Sequence, residues 1–141
     1  MKVESQIVRI ATQKEGEILD ITDNVQTIVE NGTIQNGVVF LFVPGSTAAL
    51  TTIEYEPGLL VDLPSMLERI APSNGSYEHE KRWHDGNGNG HSHLTASLIG
   101  PDLSVPFEGK KLMLGTWQQI IFIEFDVRPR DRTVIVHSMG E

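Results

Sequence analysis

Trp117-Gln-Gln-Ile-Ile-Phe-Ile-Glu-Phe125 is the most strand-like segment of the chain, dense in Ile and Phe, residue types that suit a pleated, half-buried surface. After it, Arg128-Pro129-Arg130-Asp131 reads as a hairpin turn and Thr133 to His137 as the last strand. Before it, Leu94 to Ile99 and Leu103 to Phe107 read as strands joined by Gly100-Pro101-Asp102, and Glu108-Gly109-Lys110 turns the chain into Leu112 to Leu114. Further upstream, the unbroken apolar run Val38 to Val43 reads as a strand buried on both faces. Pro44-Gly45 interrupts it, and Ala48 to Tyr55 resumes extended character. Lys2 to Thr12 alternates, with Glu4, Gln6, Val8 and Ile10 on one side, and Ile18 to Ile21 gives a short second strand.

Two segments break this pattern with helical spacing. Leu59, Leu60, Leu63, Leu67 and Ile70 form an apolar stripe that predicts a main helix over about 57–71, entered at Pro57, with Asp62 placed to cap a second half beginning at Pro64. Val25, Ile28 and Val29 predict a shorter helix over about 23–31, with Thr22 or Asp23 as cap and Gly32 at its end. Ser73 to Gly90 reads as a long glycine-punctuated loop, of a length usually tied to function. Short strands in sequence with one substantial helix between them give the expectation of a single α+β domain over 1–141, mainly an antiparallel sheet or sandwich.

Composition narrows the function. A net charge of −8 argues against a nucleic-acid partner, because phosphate-backbone binding needs a basic face. No cysteine is present, so neither disulfides nor thiolate metal sites arise. No apolar run approaches a membrane span and no basic-then-apolar leader is seen, so the expectation is a cytoplasmic protein without a membrane partner.

All but one of the five histidines fall in Tyr77-Glu-His79-Glu-Lys-Arg-Trp-His84-Asp-Gly-Asn-Gly-Asn-Gly-His91-Ser-His93. Neutral imidazole is the commonest protein ligand for zinc. On extended backbone His91 and His93 project to one side, and His79 or His84 supplies a further ligand, so His79, His84, His91 and His93 are the candidate metal ligands. The plainer reading is an exposed polar loop. Pro44-Gly-Ser46-Thr47-Ala-Ala49 offers hydroxyls and backbone N–H groups to an anion, or is simply a bend between strands. Glu54 and Glu56, and Asp62, are carboxylates suited to Mg²⁺ or to base chemistry, or to a strand end and a helix start. Trp117 and Gln118 suit a pocket wall. Arg128, Arg130 and Arg132 suit bidentate phosphate recognition, although arginines at a hairpin tip are usually solvated.

Taken in order, Pro44-Gly-Ser-Thr-Ala-Ala-Leu50, Ile53-Glu54, Tyr77-x-His79, Ser92-His93-Leu94-x-Ala-Ser-Leu-x-Gly100, Val105-Pro106 and Leu114-Gly-Thr-Trp-Gln118 resemble the YjbQ family, described as secondary thiamine-phosphate synthase-like. The resemblance covers essentially the whole chain. It implies a homotrimer with pockets near subunit boundaries. It also implies a weak transferase activity that joins a hydroxymethylpyrimidine diphosphate to a thiazole phosphate, giving thiamine phosphate and pyrophosphate, with Mg²⁺ as helper. The family's polar pocket positions fall on Glu54, Asp62, His79, His93, Trp117 and Gln118. Many members carry a His where this chain has Gly45, and His84 and His91 are the imidazoles that could compensate.

The expectation is therefore a small-molecule phosphate-handling enzyme. His79, His93, Glu54 and Asp62 are its catalytic candidates, Ser46, Thr47, Trp117 and Gln118 its substrate-binding candidates, and a divalent metal (Mg or Zn) its cofactor. The alternatives are a metal-dependent hydrolase of a small substrate, favoured by zinc, and a non-catalytic trimeric metal- or ligand-binding protein.

Overall fold

The computed structural model describes every residue except 84, 85 and 87. Strands β1 (Lys2–Ala11), β8 (Asp131–Gly140), β3 (Gly37–Phe42), β5 (Asp102–Glu108) and β6 (Lys111–Leu112) lie side by side in that order as one sheet. β2 (Ile18–Asp20), β7 (Gln119–Glu124) and β4 (Ala48–Ile53) form a second, smaller sheet. Every neighbouring pair is antiparallel. The helices are α1 (Thr22–Asn31), α2 (Pro57–Ile70), α3 (Glu78–Arg82) and α4 (Gly90–Ile99).

β7 explains the layering. Its side chains alternate across the strand. Ile120 and Phe122 face the large sheet and pack with Val39, Leu41, Val134 and Val136. Ile121 and Ile123 face the other way and pack with Leu67 of α2 and Ala96 of α4. The strand is thus a middle layer, covered by a sheet on one side and helices on the other, and this accounts for its continuous apolar run. Helix α1 closes the first core through Val25 and Val29.

β3 differs from expectation. Val39, Leu41 and Val43 point inward and are fully buried, whereas Val38 and Phe42 lie on the uncovered outer face of the large sheet. The run is apolar on both faces but buried on one.

Helix α2 is continuous through Pro64, and its N-cap is Glu56, whose carboxylate accepts from the N–H groups of Gly58 (2.9 Å) and Leu59 (2.5 Å). Asp62 therefore caps nothing. The α1 start has no side-chain cap on its first residue; Asp20 accepts from the Thr22 N–H and hydroxyl instead.

The main correction is α4. Leu94 to Ile99 belongs to a helix that begins at Gly90, not to a strand. Its buried residues, His91, Ser92, Thr95 and Ala96, follow helical spacing, and Leu and Ala favour that state. The expected loop from Ser73 to Gly90 also contains α3.

Candidate functional site

The polar end of the molecule is built where β7 and β8 run out. Glu124 continues the inward row of Ile120 and Phe122, and Arg132 continues the inward row of Val134 and Val136. Both are enclosed, Glu124 at 0 % and Arg132 at 6 % exposure. Such a pair is tolerated only when closely matched. Here Arg132 Nε and Nη2 donate to the two Glu124 oxygens at 2.9 and 2.6 Å, and Nη2 also donates to the Thr47 hydroxyl at 2.8 Å. The Thr12 hydroxyl adds a bond to Glu124 at 2.9 Å.

Above this pair lies an open cavity of about 350 Å³. The Pro44–Thr47 loop forms one side, with His79 of α3 and His93 of α4 on another and Asp126, Arg128, Arg130 and Arg132 on the third. The two imidazoles face each other with ring centroids 4.6 Å apart and planes tilted by 56°. α3 is held against α4 by the Gly90 N–H, which donates to the Glu80 carboxylate at 2.5 Å. Gly90 has to be small, because a Cβ there would lie 2.8 Å from the Tyr77 Cβ.

Electrostatics follow from this packing. Burial pushes His93 below the ordinary value of 6.5, and the neighbouring His79 pushes it the same way; the carboxylates of Asp126 and Glu80 and the nearby Ser46 backbone oppose this without reversing it. The net push on His93 is toward its neutral form. For Asp126, burial pushes the carboxyl up, but the Val127 N–H, the Arg130 guanidinium and the Asn89 amide together hold it below 3.8.

A pH dependence follows. A depressed folded-state pKa stabilises the fold above the unfolded value and loses that contribution as pH falls. The His93 contribution is present above 6.5 and the Asp126 contribution above 3.8. Urea midpoints are expected to fall on acidification in two steps, with the first missing from a His93→Gln variant. A midpoint flat between neutral pH and pH 5 would contradict this assignment.

The structure separates most of the other candidates from this cavity. His91 and His93 lie about 200° apart on the helix, so they point to opposite faces. His91 Nε2 pairs with the Glu15 carboxylate instead, and the expected convergence with His79 and His93 does not occur. His84 lies outside the described residues. Glu54, Trp117 and Gln118 sit at the far end of the β4–β7 pair, where Ile53 is opposite Gln119. That end is roughly 17 Å from Ala48, at 3.3 Å per residue. Gln118 is engaged there with Thr52 and Gly115, and Trp117 is 69 % exposed. Asp62 lines a separate cleft with Ile53, Leu59 and Met66. Glu54 and Asp62 therefore do not form the opposite wall of the histidine cavity within one chain. Ser46 and Thr47 do line it.

Among the described residues, no three His, Asp or Glu side chains form a group that could hold a metal ion. The nearest carboxylate, Asp126, is committed to Arg130 and Asn89. The described donor set therefore does not fit a resident metal. What the geometry offers is an anion site: guanidiniums, a hydroxyl loop and two imidazoles, with the negative charges of Glu124 and Asp126 already matched.

Gly45 belongs to this arrangement. A Cβ at that position would lie 2.8 Å from Arg132 Nη1, and Glu124 holds that guanidinium in place. Gly45→His is therefore expected to destabilise the protein by about 1–3 kcal/mol through overpacking and to weaken phosphate binding. Urea denaturation and calorimetry check this; wild-type stability with tighter binding would contradict it.

A family model described as UPF0047 protein YjbQ-like matches residues 6–141. The chain is 42 % identical over 130 residues to a UPF0047 protein of Archaeoglobus fulgidus, covering 92 % of this chain and 97 % of that one. It is 34 % identical over 134 residues to the UPF0047 protein YugU of Bacillus subtilis, covering 94 % and 97 %. The crystal structure of a YbjQ-like protein of unknown function from Sulfolobus solfataricus P2 superposes with a TM-score of 0.91 at 33 % identity, covering 99 % of both chains. A YjbQ/UPF0047-family protein of Clostridium acetobutylicum superposes with a TM-score of 0.83 at 33 % identity, covering 95 % of this chain and 99 % of the other. With the family model spanning nearly the whole chain, and relatives and solved structures agreeing along its length, the chain belongs to the YjbQ/UPF0047 family.

Proposed function

We propose that the cavity between the Pro44–Thr47 loop, α3, α4 and the start of β8 binds the phosphate or diphosphate of a small molecule and serves a transferase of the thiamine-phosphate synthase type. The observation that carries this reading is the placement of His79 and His93 opposite Arg128, Arg130 and Arg132 in one polar cavity. Guanidiniums match phosphate oxygens in a bidentate manner. In the proposed reaction the C–O bond to the diphosphate breaks, pyrophosphate leaves, and the thiazole nitrogen forms the new C–N bond with its lone pair. No proton has to be removed. The requirement is to stabilise charge on the leaving oxygens, which falls chiefly to Arg128, the cavity arginine not matched by Glu124 or Asp126, and to His79 as donor. His93 fixes the Ser46 loop and the partner ring.

A divalent ion such as Mg²⁺ would enter this proposal with the diphosphate, as its companion, and would supply charge neutralisation to the leaving group. The neutral state of His93 supports a second, hydrolytic reading, because a neutral ring can take a proton from water. Oligomerisation belongs to the proposal as well. Leu94 and Leu98 of α4, Val61 and Ile70 of α2, and Trp117 leave apolar surface exposed in the single chain. A homotrimer covering that surface would give Glu54, Asp62, Trp117 and Gln118 a route to a neighbour's site. Among the described residues no helix is long and apolar enough to cross a membrane.

The test incubates the purified protein with hydroxymethylpyrimidine diphosphate and thiazole phosphate, with and without Mg²⁺. Thiamine phosphate and pyrophosphate formed in equal amounts support the transferase. Phosphate release from the diphosphate alone supports the hydrolase. Saturable binding without turnover leaves the non-catalytic binding protein.

A further inference from the structure

A second cavity, of about 270 Å³, lies on the opposite face of α4 from His93. Leu63 and Leu67 of α2 and Phe125 beyond β7 give it an apolar wall, and Glu15, Glu68 and His91 supply its ionisable groups. His91 is 7 % exposed. Its Nε2 pairs with the Glu15 carboxylate, while its Nδ1 is buried without a hydrogen-bond partner. His91 thus presents a ring nitrogen enclosed in protein and left without a partner, a state that costs stability until a partner is supplied. No Lys or Arg is among the described residues that line the cavity.

This combination selects a ligand with an apolar body and a cationic head that donates hydrogen bonds. We propose that the cavity binds a small primary ammonium compound with a single-ring or short-chain hydrocarbon body, its ammonium group against Glu15 and His91 and its body against Leu63, Leu67 and Phe125. Two carboxylates repel an anion. A neutral alcohol would fill the apolar part but leave the carboxylates without a counter-charge. The cavity's volume lies just below the usual range for ligand pockets, which limits the body to about one ring. The site is independent of the phosphate cavity, because His91 and His93 leave α4 in opposite directions.

The experiment titrates the full chain with benzylammonium, benzyl alcohol and benzoate, following backbone amide resonances. The expected result is saturable shifts at Gly16, Leu67, Thr95 and Phe125 with benzylammonium, at least about tenfold weaker binding of benzyl alcohol, and none of benzoate. Glu15→Gln should erase the tenfold preference, and His93→Ala should leave it intact. Equal affinity for ammonium and alcohol, or shifts confined to the His79–His93 side, would overturn the proposal. The wild-type ligand series decides the matter even if Glu15→Gln folds poorly.

Discussion

Replacing Arg132 by methionine is expected to destabilise the protein by about 3–5 kcal/mol, the usual consequence of leaving one half of a buried ion pair behind. Glu124 is wholly buried, and both its oxygens are occupied by Arg132. Removing the guanidinium strands a carboxylate between the sheets. Arg132→Lys keeps the charge but loses the two-pronged geometry, so an intermediate loss is expected. The double variant Arg132→Met/Glu124→Gln should lose much less than the sum of the single changes, because neither partner is then stranded. Urea unfolding of the wild type, the single variants Arg132→Met, Arg132→Lys and Glu124→Gln, and the double variant checks the series. Additive losses would mean that the pair is not coupled as described.

His93→Ala is the second large effect. The ring adjoins three parts of the cavity at once: it lies tilted against His79 and near both the Ser46 backbone and Asp126. Its removal frees the Pro44–Thr47 loop and leaves His79 without its neighbour. A loss of about 10²-fold in any phosphate-group turnover is expected, the cost of misplacing the groups that hold the substrate, together with loss of pyrophosphate binding. His91→Ala should change neither, because that ring faces the other cavity. Equal losses in the two variants would contradict the separation of the two faces of α4.

The framework of strands was legible from residue patterning because burial forces it. Ile120 to Ile123 is apolar at every position since both faces of β7 are covered, and α2 announces itself through the Leu59–Ile70 stripe. α4 was not legible. His91-Ser92-His93 mimics the alternation of a strand, and the helix draws its burial from small residues, Ser92, Thr95 and Ala96, which carry little periodic signal. The error mattered for the site, because a strand would have aimed His91 and His93 at one target and the helix aims them apart.

The site itself was half legible. His79, His93, Ser46 and Thr47 were nameable in advance; Asp126, Asn89, Arg130 and Arg132 were not singled out as a unit. The arginines sit at what reads as a solvated hairpin, and only the register of β8 shows that Arg132 turns inward. One signal was available. Glu124 shares strand parity with Ile120 and Phe122, and a carboxylate on a buried row requires a buried cation nearby. Asp62 and Glu54 illustrate the reverse case: suitable chemistry on positions that the single chain holds away from the cavity.

The most direct test of the central claim, that the His79–His93 cavity is an anion site, is a pyrophosphate titration followed through the histidine ring resonances at neutral pH. The account predicts that the His79 and His93 rings move together and saturably, that His91 and His137 stay fixed, and that Arg130→Ala weakens the response. Pyrophosphate binding that leaves the His79 and His93 rings unmoved, or no saturable change in any ring, would contradict it.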